Sequence, residues 1–273
     1  MFWLTFSTPS PHAHHLFMPG TTWTQGRNAL LARAQAAGGH DYYVFLDDDA
    51  LLMVRLNDTA VTASAGPTTQ ASSPWDVFEA GLDEWRPAVG YIHAPWQTVD
   101  ETQAVTVGTA NVDAIVNAFH ASTVGVLLPY DATFDDESWF YSQLINSFLV
   151  GAFYPTLRVG FNNLGFDYAN NKHRYGNEKR QMDWTVGKLY LRSLVREGTD
   201  SFFGLARSMC FLDYTNDLCD WKACPRKGAA SYALDCDWVA STVNASHPLA
   251  ASISKACVKG GMVPPVPVFY DKC

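Results

Sequence analysis

Apolar and polar positions along the chain predict alternating strands and helices. An apolar run at 2–6 predicts a short buried strand. Helical spacing of apolar residues then predicts a helix over 24–37, which Thr24 can cap and Gly38 can end. The next run, 42–46, is continuously apolar, as in a central parallel strand that is covered on both faces. A strand, a helix and a second strand in this order predict an α/β fold with a doubly wound, mostly parallel sheet.

The same patterns predict the elements that follow. Short apolar runs predict strands at 16–18, 89–92, 104–107 and 157–161. Helical periodicity predicts helices at 75–85, 139–153 and 186–195, the first of them started by Ser73-Pro74. The apolar stretch 113–119 fits either a strand or a helix. The polar stretches 57–74 and 162–180 are typical of exposed connections.

Composition narrows the class of protein. Of the 273 residues, 48% are hydrophobic and 17% are charged, which indicates a folded domain and excludes a disordered chain. The formal net charge is -8 and Lys and Arg form no run, which disfavours binding to nucleic acid or to anionic membranes. No stretch approaches the 18 or so apolar residues of a membrane span.

The cysteines divide the chain in two. All six lie in the last 64 residues: Cys210, Cys219, Cys224, Cys236, Cys257 and Cys273. They predict disulfides, with fifteen possible pairings, in an oxidising compartment. A zinc site is the weaker alternative, because no Cys-x-x-Cys pair occurs. We therefore predict a main domain at 1–205 and a cysteine-rich, disulfide-stapled extension at 206–273.

Two N-glycosylation sequons, at Asn57 and Asn244, agree with an oxidising compartment. The sequence thus predicts a protein of the secretory-pathway lumen (endoplasmic reticulum or Golgi) or a secreted one. The apolar segment 1–6 is too short for the core of a signal peptide. Either the protein stays soluble where it is made, or a longer chain carries the targeting segment.

Three consecutive aspartates, Asp47, Asp48 and Asp49, end the apolar run 42–46. Adjacent carboxylates repel one another, and the end of a buried strand is an unfavourable place for them. A divalent cation removes this cost, and Mg²⁺ and Mn²⁺ prefer oxygen ligands that they share with substrate phosphates. An acidic turn without a ligand is the alternative interpretation.

The chain resembles the GT-A fold glycosyltransferases, which use nucleotide-diphospho-sugars. The resemblance rests on Gly26-Arg27-Asn28 at a helix start and on the Asp-x-Asp pattern of 47–49 that follows about twenty residues later. It covers roughly residues 2–180 and implies a Rossmann-like, mostly parallel sheet and a Mn²⁺ or Mg²⁺ cofactor. A nucleotide-sugar donor and a glycan, protein or lipid acceptor are the implied partners.

The resemblance also implies roles for individual residues. Arg27, Asn28, Asp47 and Asp48 would bind the donor, and Asp49 would ligate the metal together with Asp47. A helix N-terminus and an arginine fork suit a diphosphate on physical grounds as well. Only about forty residues precede Asp47, fewer than in many members of the family, so Thr5 and Ser7 are the candidates for contacts to the donor base.

A second acidic cluster, Asp135-Asp136-Glu137, precedes the helix predicted at 139–153. By the resemblance it would supply the catalytic base or bind the acceptor, with Asp136 the first candidate, Glu137 the second and Asp135 the third. The alternative is that these residues cap the helix and stabilise its dipole.

His173, between Lys172 and Arg174, lies where the resemblance implies a histidine that completes the metal shell or meets the diphosphate. An exposed histidine in a basic loop is the alternative. His93 and His120 are expected to be structural.

Two other functions stay open. A GT-A fold that has lost turnover would bind metal and nucleotide without transfer. Phosphatases with an aspartyl nucleophile also carry Asp-x-Asp after an apolar strand, but they normally have Thr or Val where this chain has Leu51. The sequence does not distinguish inversion from retention.

Overall fold

The computed structural model describes residues 1–5, 8–47, 50–55, 73–93, 103–107, 114–154, 157–168, 184–196 and 232–261. The strands are β1 (Trp3–Thr5), β2 (His15–Phe17), β3 (Tyr42–Leu46), β4 (Ala50–Val54), β5 (Val89–Ile92), β6 (Val105–Val107), β7 (Val116–His120), β8 (Arg158–Phe161), β9 (Leu164–Tyr168), β10 (Leu234–Asp235) and β11 (Cys257–Val258). The helices are α1 (Trp23–Ala37), α2 (Pro74–Trp85), α3 (Val124–Leu127), α4 (Phe140–Phe153), α5 (Trp184–Arg192), α6 (Cys236–Thr242) and α7 (Ala250–Ala256). A 3₁₀ turn, Ala121–Thr123, precedes α3. The α/β class that the sequence predicts is confirmed.

A mixed sheet of five strands forms the centre, in the order β3-β7-β5-β8-β6. Within it only β5 and β8 pair in parallel; β3 with β7, β7 with β5, and β8 with β6 are antiparallel. The prediction of a mostly parallel sheet is therefore wrong for the described strands. A continuous apolar run indicates that a strand is buried on both faces, which is common in parallel sheets. It does not determine the direction of the neighbouring strands.

The position of β3 also differs from the prediction of a central strand. Among the described strands β3 lies at the edge of the sheet, where Val44 is 44% exposed and Leu46 39%. The strand beside it, in an interior position of the sheet, is β7, from the stretch that fitted either a strand or a helix. In β7 Val116 and Ala118 are fully buried.

Local sequence explains where the first two long helices begin. The Thr22 side chain caps α1 by accepting from the Gln25 backbone N–H. In turn Oε1 of Gln25 accepts from the Thr22 backbone N–H, which completes a capping box. The cap is therefore two residues earlier than the predicted Thr24. Ser73 caps α2 in the same way with Asp76, and Pro74 is its first residue, as predicted.

Two apolar clusters lie on the sheet. One joins β3, β5 and β7 to α4 through Phe45, Val89, Phe119, Leu144 and Phe148. The other joins β5, β7 and β8 to α2 through Phe78, Leu82, Ile92, Val116 and Phe161. The site described below lies next to the first cluster.

The described part of the predicted extension, 232–261, shares the first cluster through Leu234, Val239 and Ile253. A Cβ built on Gly125 of α3 would lie 2.8 Å from Cβ of Ala256 in α7, so the two helices approach closely. A disulfide joins Cys236 to Cys257 at the two ends of this segment, which confirms one of the predicted bridges. The other four cysteines lie outside the described residues, and the division into 1–205 and 206–273 stays a prediction.

Within the described ranges, no helix is both long and apolar enough to cross a membrane.

Candidate functional site

A buried ion pair connects helix α1 to the end of strand β3. Nη2 of Arg27 donates to Oδ1 of Asp47 at 2.5 Å. Arg27 is 6% exposed, whereas the side chain of Asp47 is 23% exposed. Burial lowers the pKa of Arg27, but Tyr130 and Asp47 more than offset it, and the net shift of that pKa is upward. The guanidinium therefore stays charged and holds the first of the three aspartates in place.

Aromatic rings surround the same guanidinium. Its central carbon lies 4.1 Å from the ring centroid of Trp23 and 5.4 Å from that of Phe45. The ring of Trp23 in turn lies 5.2 Å from that of Tyr130 and 5.3 Å from that of Trp139. Stacking of a planar cation on aromatic faces adds to the ion pair and fixes the orientation of its donors.

Tyr130 is a central residue of the site, and no sequence motif marks it. It is 3% exposed, and its hydroxyl accepts from Nη1 of Arg27 at 3.3 Å. Burial raises the pKa of Tyr130, although Arg27 and a hydrogen bond from Asn117 act in the opposite direction. Oδ1 of Asn117 is itself buried and has no hydrogen-bond partner in the described part of the chain. Tyr130 lies between Pro129 and Asp131, which are typical turn residues, and such a pattern predicts exposure instead of a buried role.

Asn28 fastens Tyr130 to α1. Its Nδ2 donates to the carbonyl of Tyr130 at 2.8 Å, and its Oδ1 accepts from the Tyr130 backbone N–H, also at 2.8 Å. Both ends of the amide are therefore engaged within the protein. The role of Arg27 and Asn28 in donor binding stays a prediction, and the structure gives both of them a positioning role at the end of β3.

The acidic cluster reaches the same helix. The hydroxyl of Thr22, the cap of α1, donates to Oδ2 of Asp135. A carboxylate at a helix N-terminus is stabilised by the helix dipole. Oδ1 of Asp135 is buried and has no hydrogen-bond partner among the described residues. Asp136 and Glu137 are exposed.

The capping alternative for this cluster does not agree with the start of α4. That helix begins at Phe140 with Trp139 as its N-cap, without a side-chain cap and without an acidic residue in its first turn. The three acidic residues instead form the turns before it, in which the Asp135 and Glu137 N–H groups donate to the carbonyls of Ala132 and Phe134.

The remaining predicted residues divide into two groups. Ser7, Asp48, Asp49 and His173 lie outside the described residues. Thr5 is described, and its hydroxyl is within hydrogen-bond distance of the Thr8 carbonyl, at 2.5 Å, and of His15 Nε2, at 2.7 Å. It follows Leu4, whose side chain lies 3.5 Å from the position of a Cβ built on Gly26. Thr5 is thus near the Gly26-Arg27-Asn28 segment.

The two other histidines differ in what surrounds them. His120 accepts from the Ser122 N–H and caps the 3₁₀ turn, which agrees with the structural role expected for it. His93 directly follows β5 and is buried. Among the described residues no group of three or more His, Cys, Asp or Glu side chains could hold a metal ion. Two of the three aspartates and His173 fall outside that set.

The described geometry thus gathers Arg27, Asp47, Tyr130 and Asp135 around the first turns of α1. Comparisons of the chain with models of known families, with curated proteins and with solved structures find no match.

Proposed function

We propose that the protein is a metal-dependent GT-A glycosyltransferase, which moves a sugar from a nucleotide-diphosphate donor to a glycan, protein or lipid acceptor. The observation that carries the proposal is the Arg27–Asp47 contact. The resemblance pairs a Gly-Arg-Asn helix start with strand-borne aspartates on sequence spacing alone. The contact at 2.5 Å supports that pairing, because it joins the two motifs in space.

The donor set around Asp47 suits Mn²⁺ or Mg²⁺. Three consecutive carboxylates offer the hard oxygen ligands that these ions prefer. Because Arg27 already engages Oδ1 of Asp47, Asp49 is the first candidate for the metal ligand, with Asp47 and His173 as further candidates. When bound, the ion would neutralise the charge that develops on the leaving nucleotide diphosphate.

The protein's own residues would orient the donor and the acceptor. The stacked guanidinium of Arg27 restrains Asp47 and contributes positive charge beside the diphosphate. Asp135, Asp136 and Glu137 are the candidates for the base that takes the proton of the acceptor hydroxyl. One carboxylate oxygen of Asp135 accepts a hydrogen bond from Thr22, the cap of α1. Asp136 and Glu137 are exposed, so an acceptor can reach them.

The phosphatase alternative has less support. It needs an aspartate of the cluster as nucleophile, and a carboxylate that is bound to a buried guanidinium is a weakened nucleophile. This argument applies to Asp47. A fold that binds metal and nucleotide without turnover stays the second candidate.

Thermal unfolding with Mn²⁺ and a panel of UDP-, GDP- and CMP-sugars tests the proposal, together with assays of donor hydrolysis. We expect one nucleotide to raise the melting temperature only when Mn²⁺ is present, and Asp49→Ala to abolish that rise. Asp41→Ala, at the exposed position just before β3, is the matched control and should retain that rise. No metal-dependent shift with any nucleotide would overturn the proposal, and a shift without turnover would favour the binding-only candidate.

Substitution of the acidic cluster tests the base. Asp136→Asn, Glu137→Gln and Asp135→Asn should leave nucleotide binding unchanged, and one of them should lower kcat by 10²-fold or more. If none of the three lowers kcat, the cluster does not supply the base.

A further inference from the structure

A cavity of about 200 Å³ lies between the 126–131 segment, α4 and the start of α7. It has room for roughly six water molecules, or for one ring-sized ligand. Tyr130 forms part of its wall, and the hydroxyl of the same residue accepts from Arg27. Tyr130 therefore belongs both to the lining of the cavity and to the surroundings of Arg27.

The charge of the lining selects against anions. Asp131 is the one charged residue among the described residues that line the cavity. Its Oδ1 accepts from the Thr133 backbone N–H at 2.7 Å, and its Oδ2 accepts from the Tyr190 hydroxyl. A carboxylate without a lining cation repels phosphate and sulfate. These two hydrogen bonds fix the orientation of the Asp131 carboxylate.

The remaining polar groups suit hydroxyls. Nδ2 of Asn146 donates to the Leu127 carbonyl at 2.7 Å, which leaves its Oδ1 as an acceptor within the described part of the chain. The hydroxyls of Thr133 and Ser252 can donate or accept.

Apolar side chains form the rest of the surface, among them Ile145, Leu149 and Leu249. A sugar ring presents C–H groups on its faces and hydroxyls at its edge, so it matches a lining that is partly apolar and partly hydroxyl-bearing.

We propose that this cavity binds one uncharged sugar residue of the acceptor glycan. The assignment to the acceptor rests on the proposed function, whereas the binding of a neutral sugar ring rests on the lining alone. A nucleotide diphosphate does not suit the cavity, because an aspartate is the only charged residue in its described lining.

Titration of the full chain with methyl glycosides of glucose, galactose, mannose and N-acetylglucosamine tests the assignment, with saturation-transfer NMR or calorimetry as the readout. Ser252 is exposed on α7 beside the cavity, and Ser252→Trp fills the opening with an indole. Ser254 is exposed on the same helix but does not line the cavity, so Ser254→Trp is the matched control.

We expect one or more glycosides to bind the unmodified protein and Ser254→Trp equally, and to bind Ser252→Trp at least ten-fold more weakly. Inorganic phosphate should not compete. The inference is overturned if no glycoside binds, if Ser252→Trp binds as well as Ser254→Trp, or if phosphate displaces the sugar. Equal melting temperatures of the two variants exclude misfolding as the cause.

Mn²⁺-dependent nucleotide binding, measured on the same samples, separates this inference from the proposed function. Nucleotide binding without glycoside binding would leave the glycosyltransferase proposal intact and remove the cavity assignment. Glycoside binding that is sensitive to Ser252→Trp, without any nucleotide binding, would retain the sugar site and remove the transferase. If both hold, Ser252→Trp should raise KM for the acceptor, whereas Ser254→Trp should leave KM for the acceptor and the rate of donor hydrolysis unchanged.

Discussion

Arg27 and Asp47 are twenty residues apart in the chain, and a side-chain contact of 2.5 Å joins them at the end of β3. Arg27 is almost fully buried, and Asp47 is the first carboxylate of an acidic triplet. The pair thus fixes the side chain of Asp47 at the end of β3. Its contribution can be measured by substitutions that alter the charge and the shape of the guanidinium separately.

Arg27→Met should lower the free energy of unfolding by about 2–3 kcal/mol, because Asp47 loses its partner and Trp23 loses a stacked cation. The partial exposure of Asp47 keeps the value below that of a fully buried pair. Arg27→Lys should recover only part of the loss, since an ammonium cannot reach Asp47 and Tyr130 as a planar fork. Urea unfolding measures both changes. Arg33→Met, at an exposed position of the same helix, should change stability by less than about 0.5 kcal/mol.

Asn28→Asp tests the two bonds that hold Tyr130. The substitution keeps an acceptor for the Tyr130 N–H but replaces the donor to its carbonyl by a negatively charged oxygen. We expect a loss of about 2 kcal/mol at neutral pH. The deficit should shrink as the pH falls, because a protonated carboxyl can donate to the carbonyl again. Urea unfolding at pH 7 and at pH 4.5, with the unmodified protein as reference, checks this. A deficit of the same size at both values would contradict the assigned bonds.

The sequence predicts the local elements of the fold but not the order in which the strands pair. The α1 pattern, the apolar strand and the acidic triplet are local, so their positions along the chain follow from periodicity and turn chemistry. The order of the strands is not local: β7 separates β3 from β5 because of long-range pairing, which a run of apolar residues does not specify. Strands β4 and β9 were not predicted, although they pair with each other over five residues.

The candidate site divides in the same way. Arg27, Asn28 and Asp47 carry motif signals, and the sequence predicts them as members of one site. Tyr130 carries none, because its role depends on Asn28 and Arg27 approaching from a helix about one hundred residues earlier in the chain. The hydrogen bond from Thr22 to Asp135 is equally remote in sequence. Such contacts arise from packing, and a single sequence without a motif at the position does not report them.

Arg158 is a candidate for stabilisation by substitution. It is 4% exposed at the start of β8, its Nε has no hydrogen-bond partner among the described residues, and burial lowers the pKa of Arg158 to about 10. A buried guanidinium without an ion-pair partner opposes folding. Arg158→Met should therefore raise the free energy of unfolding by about 1 kcal/mol or more. A clear loss of stability in urea unfolding would show that the guanidinium has a partner in the native protein.

His247 should make stability depend on pH below neutrality. It is 5% exposed, and burial lowers the pKa of His247, although its hydrogen bond to the Tyr190 carbonyl and the charge of Asp131 act in the opposite direction. The unfolded chain then binds the proton more readily than the folded one. The stabilisation by neutral His247 is complete above the unfolded pKa of about 6.5 and is lost as the pH falls through the lowered folded pKa.

His120 contributes with the same sign, because burial lowers the pKa of His120 as well. Urea unfolding between pH 7.5 and pH 5 should therefore show a falling free energy of unfolding. His247→Gln should have a shallower slope over this range than the unmodified protein, even if it is less stable throughout. An unchanged slope would mean that His247 does not titrate differently in the folded and unfolded states.

The bridge between Cys236 and Cys257 should be a main source of stability for the segment 232–261. Cys236 opens α6 directly after β10, and Cys257 follows α7 as the first residue of β11, where it pairs with Leu234. The bridge closes a loop with a sequence separation of 21 residues. It lowers the conformational entropy of the unfolded chain, which raises the free energy of unfolding by about 3 kcal/mol. A Cys236→Ser, Cys257→Ser double variant should lose about that much in urea unfolding, while each single variant should lose the same amount or slightly more. Peptide mapping without reduction should recover the two cysteines as one linked pair.

Loss of the bridge should also weaken glycoside binding at the cavity beside α7. The reason is that the segment 232–261 shares the apolar cluster of α4 through Val239 and Ile253. Unchanged glycoside binding in the double variant would mean that the bridge affects only local unfolding of the segment.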